Sequence, residues 1–227
     1  MKRTIGVLAV LCGALLMVEN GRAQGSFAVR IAPGAVAAHM VGRLQLAADG
    51  TAQLLGYYPF VQGLPGPFFY GAAGEATAYF TFRSASFQVQ AVPNGNIMML
   101  FSSPINDTSI AVNLYYNASP SGDFTKPESF SSGQLIATFR TRRGMATAIA
   151  PSTGLEMGTL DLVSTSDFTF QGQTYNLGGF ASGITMTTIY AGTPVSGSIV
   201  SPPASIAFGG SAVTIGTAAG VPPRRGR

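Results

Sequence analysis

At 227 residues, with charged side chains forming only 10% of the chain and 29 glycines, the sequence has enough apolar material for one buried core and suits a turn-rich β protein. The net charge of +4 comes from the ends: without Lys2, Arg3, Arg22 and Glu19 the 13 basic and 9 acidic groups become 10 and 8, and setting aside Arg224, Arg225 and Arg227 leaves 7 and 8. The body is close to neutral and offers no electrostatic case for nucleic acid, while a single histidine, His39, and a single cysteine, Cys12, leave no material for a zinc or copper centre and no cofactor is expected.

Residues 1–23 read as a signal peptide, with Lys2 and Arg3 at a basic start, an apolar run over residues 4–18 too short for a comfortable membrane span, and a small-x-small cleavage site at Gly21-Arg22-Ala23. The mature chain is then expected to begin near Gln24 and to be periplasmic or extracellular, not membrane-spanning. Leu11 precedes Cys12 where a lipoprotein signal favours Gly or Ala, so no lipid anchor is expected. An exported chain without cysteine has no disulfides and relies on core burial.

Phe27, Val29 and Ile31 alternate before Pro33-Gly34, which suits a lead-in or edge strand. Residues 41–101 read as five strands. At Asp49-Gly50 a two-residue loop pairs Leu46 with Gln53 and Gln45 with Leu54, apolar against polar on each face. A three-residue loop of Ala48, Asp49 and Gly50 instead pairs Leu46 with Ala52, Leu44 with Leu54, Gly42 with Gly56, Met40 with Tyr58 and Ala38 with Phe60. Because one face must be buried, the second register is expected, with Gly50 supplying a positive φ. Residues 75–83 alternate, with Ala76, Ala78, Phe80 and Phe82 inward, and residues 86–92 follow with Phe87, Val89 and Ala91 inward. A two-residue turn at Asn94-Gly95 then pairs Ala91 with Met98 and Val89 with Leu100.

Residues 108–116 form a strand with Ile110, Val112, Leu114 and Tyr116 on one face, and residues 117–133 a long polar loop broken by Pro120 and Pro127. Residues 134–140 resume with Leu135, Ala137 and Phe139 inward, and residues 141–144 read as a basic turn. Residues 145–150, 155–163, 166–170 and 184–190 are further strands, with Gln171-Gly172 turning the chain into residues 174–177. Roughly ten strands without an amphipathic helix describe an antiparallel β-barrel, with a β-sandwich as the alternative. The expected domain covers residues 26–190. Residues 191–227 are a Pro/Gly/Ala/Ser-rich extension in which residues 206–208 and 213–215 are further strand candidates and the last dozen or so are expected to be disordered. By strand count and export, the expected barrel resembles the calycins at the level of fold alone.

Few residues are candidates for chemistry. His39 shares the wetter face of its strand with Arg43 and Gln45 and reads as a solvated surface histidine; no Gly-x-Ser-x-Gly elbow accompanies it. Glu75, Glu156 and Asp161 are the carboxylates a glycosidase pair would draw on, although solvated strand charges are the expectation. Asp107-Thr108-Ser109 lacks the glycine and the second copy of an aspartic protease. Arg140, Arg142 and Arg143 form the one basic cluster of the body, a weak candidate anion site or a charged hairpin tip. Asn106 and Asn117 sit in glycosylation acceptor patterns. The long loop over residues 62–74 carries Phe68, Phe69 and Tyr70, which either fold back to plug one end of the core or rim an apolar cavity as ligand-binding residues.

These features favour a non-enzymatic exported binding protein for a small apolar ligand held in a β-barrel. The alternative is a structural or adhesive cell-envelope protein acting through loops and the C-terminal tail. A third reading, an outer-membrane barrel, requires continuous lipid-facing apolar bands and a lumen lined by the wet faces.

Overall fold

Side chains alternate across a strand, so a chain rich in two-beat apolar runs buries one face of each strand and must close or stack its sheet. The computed structural model describes residues 25–94, 96–102, 110–150, 153–191 and 203–216. The signal peptide expected over residues 1–23, Asn106, the Asp107-Thr108-Ser109 triplet and residues 217–227 lie outside the described residues.

The strands are β1 (Phe27–Ala28), β2 (Val36–Leu46), β3 (Thr51–Val61), β4 (Phe80–Ser84), β5 (Phe87–Asn94), β6 (Asn96–Ser102), β7 (Ile110–Tyr116), β8 (Gln134–Ala150), β9 (Thr153–Thr165), β10 (Phe168–Phe170), β11 (Gln173–Asn176), β12 (Gly183–Ala191) and β13 (Ala204–Ile215). Eight of them close a ring in the order β2, β3, β4, β7, β8, β9, β12, β13, each antiparallel to its neighbours, with β13 returning to β2. The protein is an antiparallel β-barrel. β5 continues β4 and pairs with β3 through Thr51 and Ala52, while β6 pairs with the second half of β8. The wall is thus closed by β4 and β7 at one level and by β5 and β6 at the other. β1, β10 and β11 form a separate small sheet, with β1 at its edge. No helix among the described residues is long and apolar enough to cross a membrane.

The first hairpin adopts the expected register: Leu46 faces Ala52, Leu44 faces Leu54, Gly42 faces Gly56, and Gly50 has φ 80°. A bulge between His39 and Val41 then shifts the pairing, so His39 meets Phe60 and Ala38 meets Val61 rather than Met40 meeting Tyr58. The second hairpin differs by one residue from expectation: Ala91 faces Met99 and Val89 faces Phe101, with Asn94 opposite Asn96. Proline explains the slide. Residues flanking a two-residue turn exchange both N–H···O bonds, and Pro93, which would flank it, has no N–H to give; in the observed register Pro93 stands opposite Ile97.

Three further expectations are corrected. Residues 141–144 are not a turn: β8 runs unbroken through them, with a register shift between Thr141 and Arg143. The bulge flips the inward parity there, so Phe139 and Ala146 are both buried although their positions differ in phase, which in sequence imitates a break. Leu135 is exposed, while Ile136 and Ala137 are both buried, because the pairing of β8 with β7 skips Ile136 and so changes the phase there too. Residues 75–77 form a 3-10 turn rather than strand, held by Thr77 Oγ1 donating to the carbonyls of Ala72 and Gly74, a local bond that competes with a ladder. Ala76 is accordingly exposed. The Gln171-Gly172 turn is present, with φ 49° and 79°, the double positive φ of a tight hairpin.

One end of the barrel, where the short turn at residues 47–50 and the tip of β5 and β6 lie, we call the turn end. The other is sealed by aromatic rings. Phe80, fully buried, has the rings of Phe170, Tyr116, Phe168 and Phe68 at centroid distances of 5.1, 5.5, 5.9 and 6.1 Å. At mid-height Phe82 and Phe208 lie 6.3 Å apart over the facing pair Gly42 and Gly56. A Cβ on Gly42 would stand 2.6 Å from Phe208 Cζ, and one on Gly56 2.7 Å from Phe82 Cζ, so these glycines make room for the two rings.

Residues 117–133, expected as a polar loop, instead cover the outside of β2, β3 and β4. Phe130 and Leu55 are fully buried there, Phe124 sits 4.8 Å from Phe130, and the Arg43 guanidinium lies 4.9 Å from the Phe124 ring. Thr81 Oγ1 donates to the Phe130 carbonyl at 2.8 Å. This second, outer core anchors the loop. Phe130→Ala is expected to lower the unfolding free energy by about 3 kcal/mol, read as a drop in the urea midpoint.

Candidate functional site

β9 presents Glu156, Gly158 and Leu160 on its inner face, and β12 presents Met186, Thr188 and Tyr190. The register sets Thr188 directly opposite Glu156. Glu156 is 3% exposed, Thr188 1% and Tyr190 6%, so a carboxyl and two hydroxyls meet inside an apolar barrel, toward the turn end. Thr188 Oγ1 donates to Glu156 Oε2 at 2.9 Å, and the Tyr190 hydroxyl donates to the same oxygen. Among the described residues Oε1 has no hydrogen-bond partner and the carboxyl has no cation: the two ion pairs are Lys126–Asp123 and Arg142–Asp161.

Beside the carboxyl lies a cavity with about 10 Å³ open to a water centre, the space of one such molecule. It exists because Gly144 and Gly158 face each other in register on β8 and β9, leaving two side chains missing from the lining; Thr141 borders it, and Leu54, Phe87, Ile110, Leu160 and Met186 make up the apolar part. Burial pushes the Glu156 carboxyl above its usual range, an effect that the hydrogen bonds from Tyr190 and Thr188 oppose, and burial followed by the neighbouring carboxyl pushes the Tyr190 phenol well up.

The raised carboxyl has a signed consequence for stability. Below its ordinary value of 4.5 both folded and unfolded states hold the proton, and the group subtracts nothing. As pH rises past that value the unfolded chain ionises first, and stability falls by up to about 1.4 kcal/mol per pH unit until the folded carboxyl ionises as well. Asp49 and Asp123 act oppositely and in more acid solution: bonds from the Thr51 backbone N–H and the Thr125 hydroxyl hold them below 3.8, so their contribution is lost only as pH falls below that value. Urea midpoints of the wild type are expected to decline as pH rises above the ordinary carboxyl value of 4.5, and Glu156→Gln to flatten the decline.

Comparison with protein-family models, with curated proteins and with solved structures finds no match to this chain. The site therefore rests on its own geometry.

The residues singled out in the sequence are placed as follows. Phe68 is half-buried in the aromatic seal, 6.0 Å from Phe60. Phe69 stacks edge-on against Tyr57 at 6.0 Å, and Tyr70 is 74% exposed. None of the three borders the Glu156 cavity. Arg140 and Arg142 are exposed on β8, Arg142 Nε bonding Asp161 Oδ2 at 2.6 Å; the side chain of Arg143 lies outside the described residues. His39 is exposed, bonds Ser211 Oγ through Nδ1 at 2.8 Å and tilts against Phe60.

Glu75, Glu156 and Asp161 are not brought together. Glu156 and Asp161 are an odd number of residues apart on β9 and face opposite sides of the wall, and Glu75 lies in the turn before β4. Glu156 corrects the expectation of a solvated charge. The signal for it was parity, since it shares the face of Leu160. Among the described residues no group of three His, Cys, Asp or Glu side chains is placed to hold a metal. The larger depression, about 530 Å³, is an open surface groove of mixed lining, with Gln45, Gln53 and Ser205 beside Leu46 and Pro203.

Proposed function

We propose that this chain is a non-enzymatic, exported binding protein that holds a small, largely apolar molecule inside its barrel, at the turn end beside Glu156. The observation that carries the reading is a closed apolar interior interrupted, among the described residues, by a single buried carboxyl cluster whose glutamate lines a cavity. The aromatic seal assigns Phe68 to the closed end, and export is carried by residues 1–23. Native mass spectrometry of the protein purified without detergent, with solvent extraction of its ligand, is expected to return a small apolar compound. A protein that carries none and takes up no apolar probe when offered one defeats the reading.

A second reading, the structural or adhesive envelope protein, is favoured by a separate observation. The outer face of β8, β9, β12 and β2 exposes Met145, Met157, Ile189 and Val41, with Gly209 of β13 between Ile189 and Val41 in register. Replacing Met157 and Ile189 by lysine is expected, on that reading, to abolish surface association while the barrel still folds. The outer-membrane reading has less support, because Phe80 and Phe82 face inward and Thr81 lies buried beneath residues 117–133, the reverse of a polar lumen within a lipid-facing wall.

A further inference from the structure

Within the binding reading proposed above, the open question is the chemistry of the atom that meets Glu156. Three observations bear on it. Both hydroxyl donors, Thr188 and Tyr190, point at Oε2, and neither at Oε1. Oε1 is left without a partner on a side chain that is 3% exposed and borders the cavity. No cation approaches the carboxyl among the described residues.

We propose that Glu156, as a neutral carboxyl, donates from Oε1 to one uncharged oxygen, carbonyl or hydroxyl, at the end of an otherwise apolar ligand. The inference rests on the barrel being a binding site. In a neutral carboxyl the oxygen that accepts is the carbonyl oxygen, and the proton resides on the other. Two fixed donors on Oε2 therefore assign the proton to Oε1, on a side chain that lines the cavity. An ionised carboxylate here would stand unpaired among Leu54, Leu160 and Met186, a costly arrangement in so apolar a lining. The raised carboxyl agrees with this, and the geometry stands without it.

Charged ligand ends fit worse. An ammonium brings three donors, and beside the carboxyl only the Thr141 hydroxyl borders the cavity as a side-chain acceptor, so at least one donor stays unpaired. A ligand carboxylate would find two side-chain donors, neutral Glu156 and the Thr141 hydroxyl, but no counter-charge among the described residues. A ketone or alcohol oxygen needs one donor and finds it. The cavity accepts one non-hydrogen atom, which suits that oxygen. The apolar body that follows it has no room in the cavity as it stands and requires Met186, an unbranched side chain that repacks readily, and the neighbouring lining side chains to move.

The test uses the full mature chain and four probes of equal chain length: dodecanol, the corresponding methyl ketone, dodecylamine and dodecanoate, titrated by native mass spectrometry at neutral pH. The alcohol and the ketone are expected to bind about tenfold or more tightly than the amine and the carboxylate, a difference of about 1.4 kcal/mol. Glu156→Gln, whose amide can still accept from Thr188 and Tyr190 and donate into the cavity, is expected to keep the neutral probes within about threefold, and Glu156→Leu to weaken them about tenfold. Met186→Ala, by widening the cavity, is expected to tighten them. Difference infrared spectra should show a protonated-carboxyl stretch that shifts when the ketone binds and is absent in Glu156→Gln. Tightest binding of the amine or of the carboxylate overturns the inference, as does equal binding of all four probes that ignores position 156; in each case the binding reading survives. If the folded wild type takes none of the four and carries no ligand of its own, the binding reading itself fails.

Discussion

A chain ending at Ala191 is expected to remain unfolded. β13 is the stave that joins β12 to β2, pairing along both its edges and burying Ile206, Phe208, Ala212 and Thr214. Loss of Ile206 and Phe208 alone removes about 1.5–3 kcal/mol of burial each, against a total stability of about 5–15 kcal/mol. It also leaves inner edges of β2 and β12 bare and uncovers Gly42, over which the Phe208 ring sits. Circular dichroism and proteolysis of the truncated chain should report an unfolded, readily cleaved polypeptide. A chain ending at Gly216 retains every described strand and is expected to unfold within about 2 °C of the full chain. Cooperative unfolding of the shorter chain near the full-length midpoint would show that β13 is dispensable to the barrel.

Gly56→Ala is expected to destabilise by about 3 kcal/mol or to prevent folding. The added methyl would meet the Val41 carbonyl, the Gly42 Cα at 2.6 Å and the Phe82 ring at 2.7 Å. Two of those are backbone of the neighbouring strand and cannot rotate aside, which separates this case from a crowded side chain that changes rotamer. Gly209→Ala on the outer face is the matched control: its nearest neighbour would be the Met40 carbonyl at 3.9 Å, and a change within about 0.5 kcal/mol is expected. Urea denaturation of the pair reads both. Equal midpoints for the two variants would mean that β2 and β3 can part by more than their register allows.

Much of the fold was legible before the structure, and the misses have physical causes. The first hairpin could be read because Leu44 and Leu54 admit only one burial-consistent register. The second could not be read from Asn94-Gly95 alone, since Pro93 removes a hydrogen bond that the favoured turn needs. β8 looked like two strands because its bulge at Arg142 switches inward parity midway. Residues 117–133 looked like a solvated loop because composition does not say that Phe124 and Phe130 have Leu55 to cover. The site was half legible: Asp161 lies outside as expected of a solvated strand charge, whereas Glu156, read the same way, shares the inward parity of Leu160 and is buried. Its two donors lie some thirty residues onward on β12, a pairing that only the closed ring supplies.

Closure of the ring through β2 and β13 also sets the order of events in folding. The two strands that must meet end and begin at Leu46 and Ala204, so the longest-range pairing in the protein is the one that finishes it. A nascent chain delivered amino terminus first has made its local ribbons, each forming in about 1–10 μs, long before its last stave exists. Until then there is no hoop to lock, which is the state that the proposed export through a membrane pore would require.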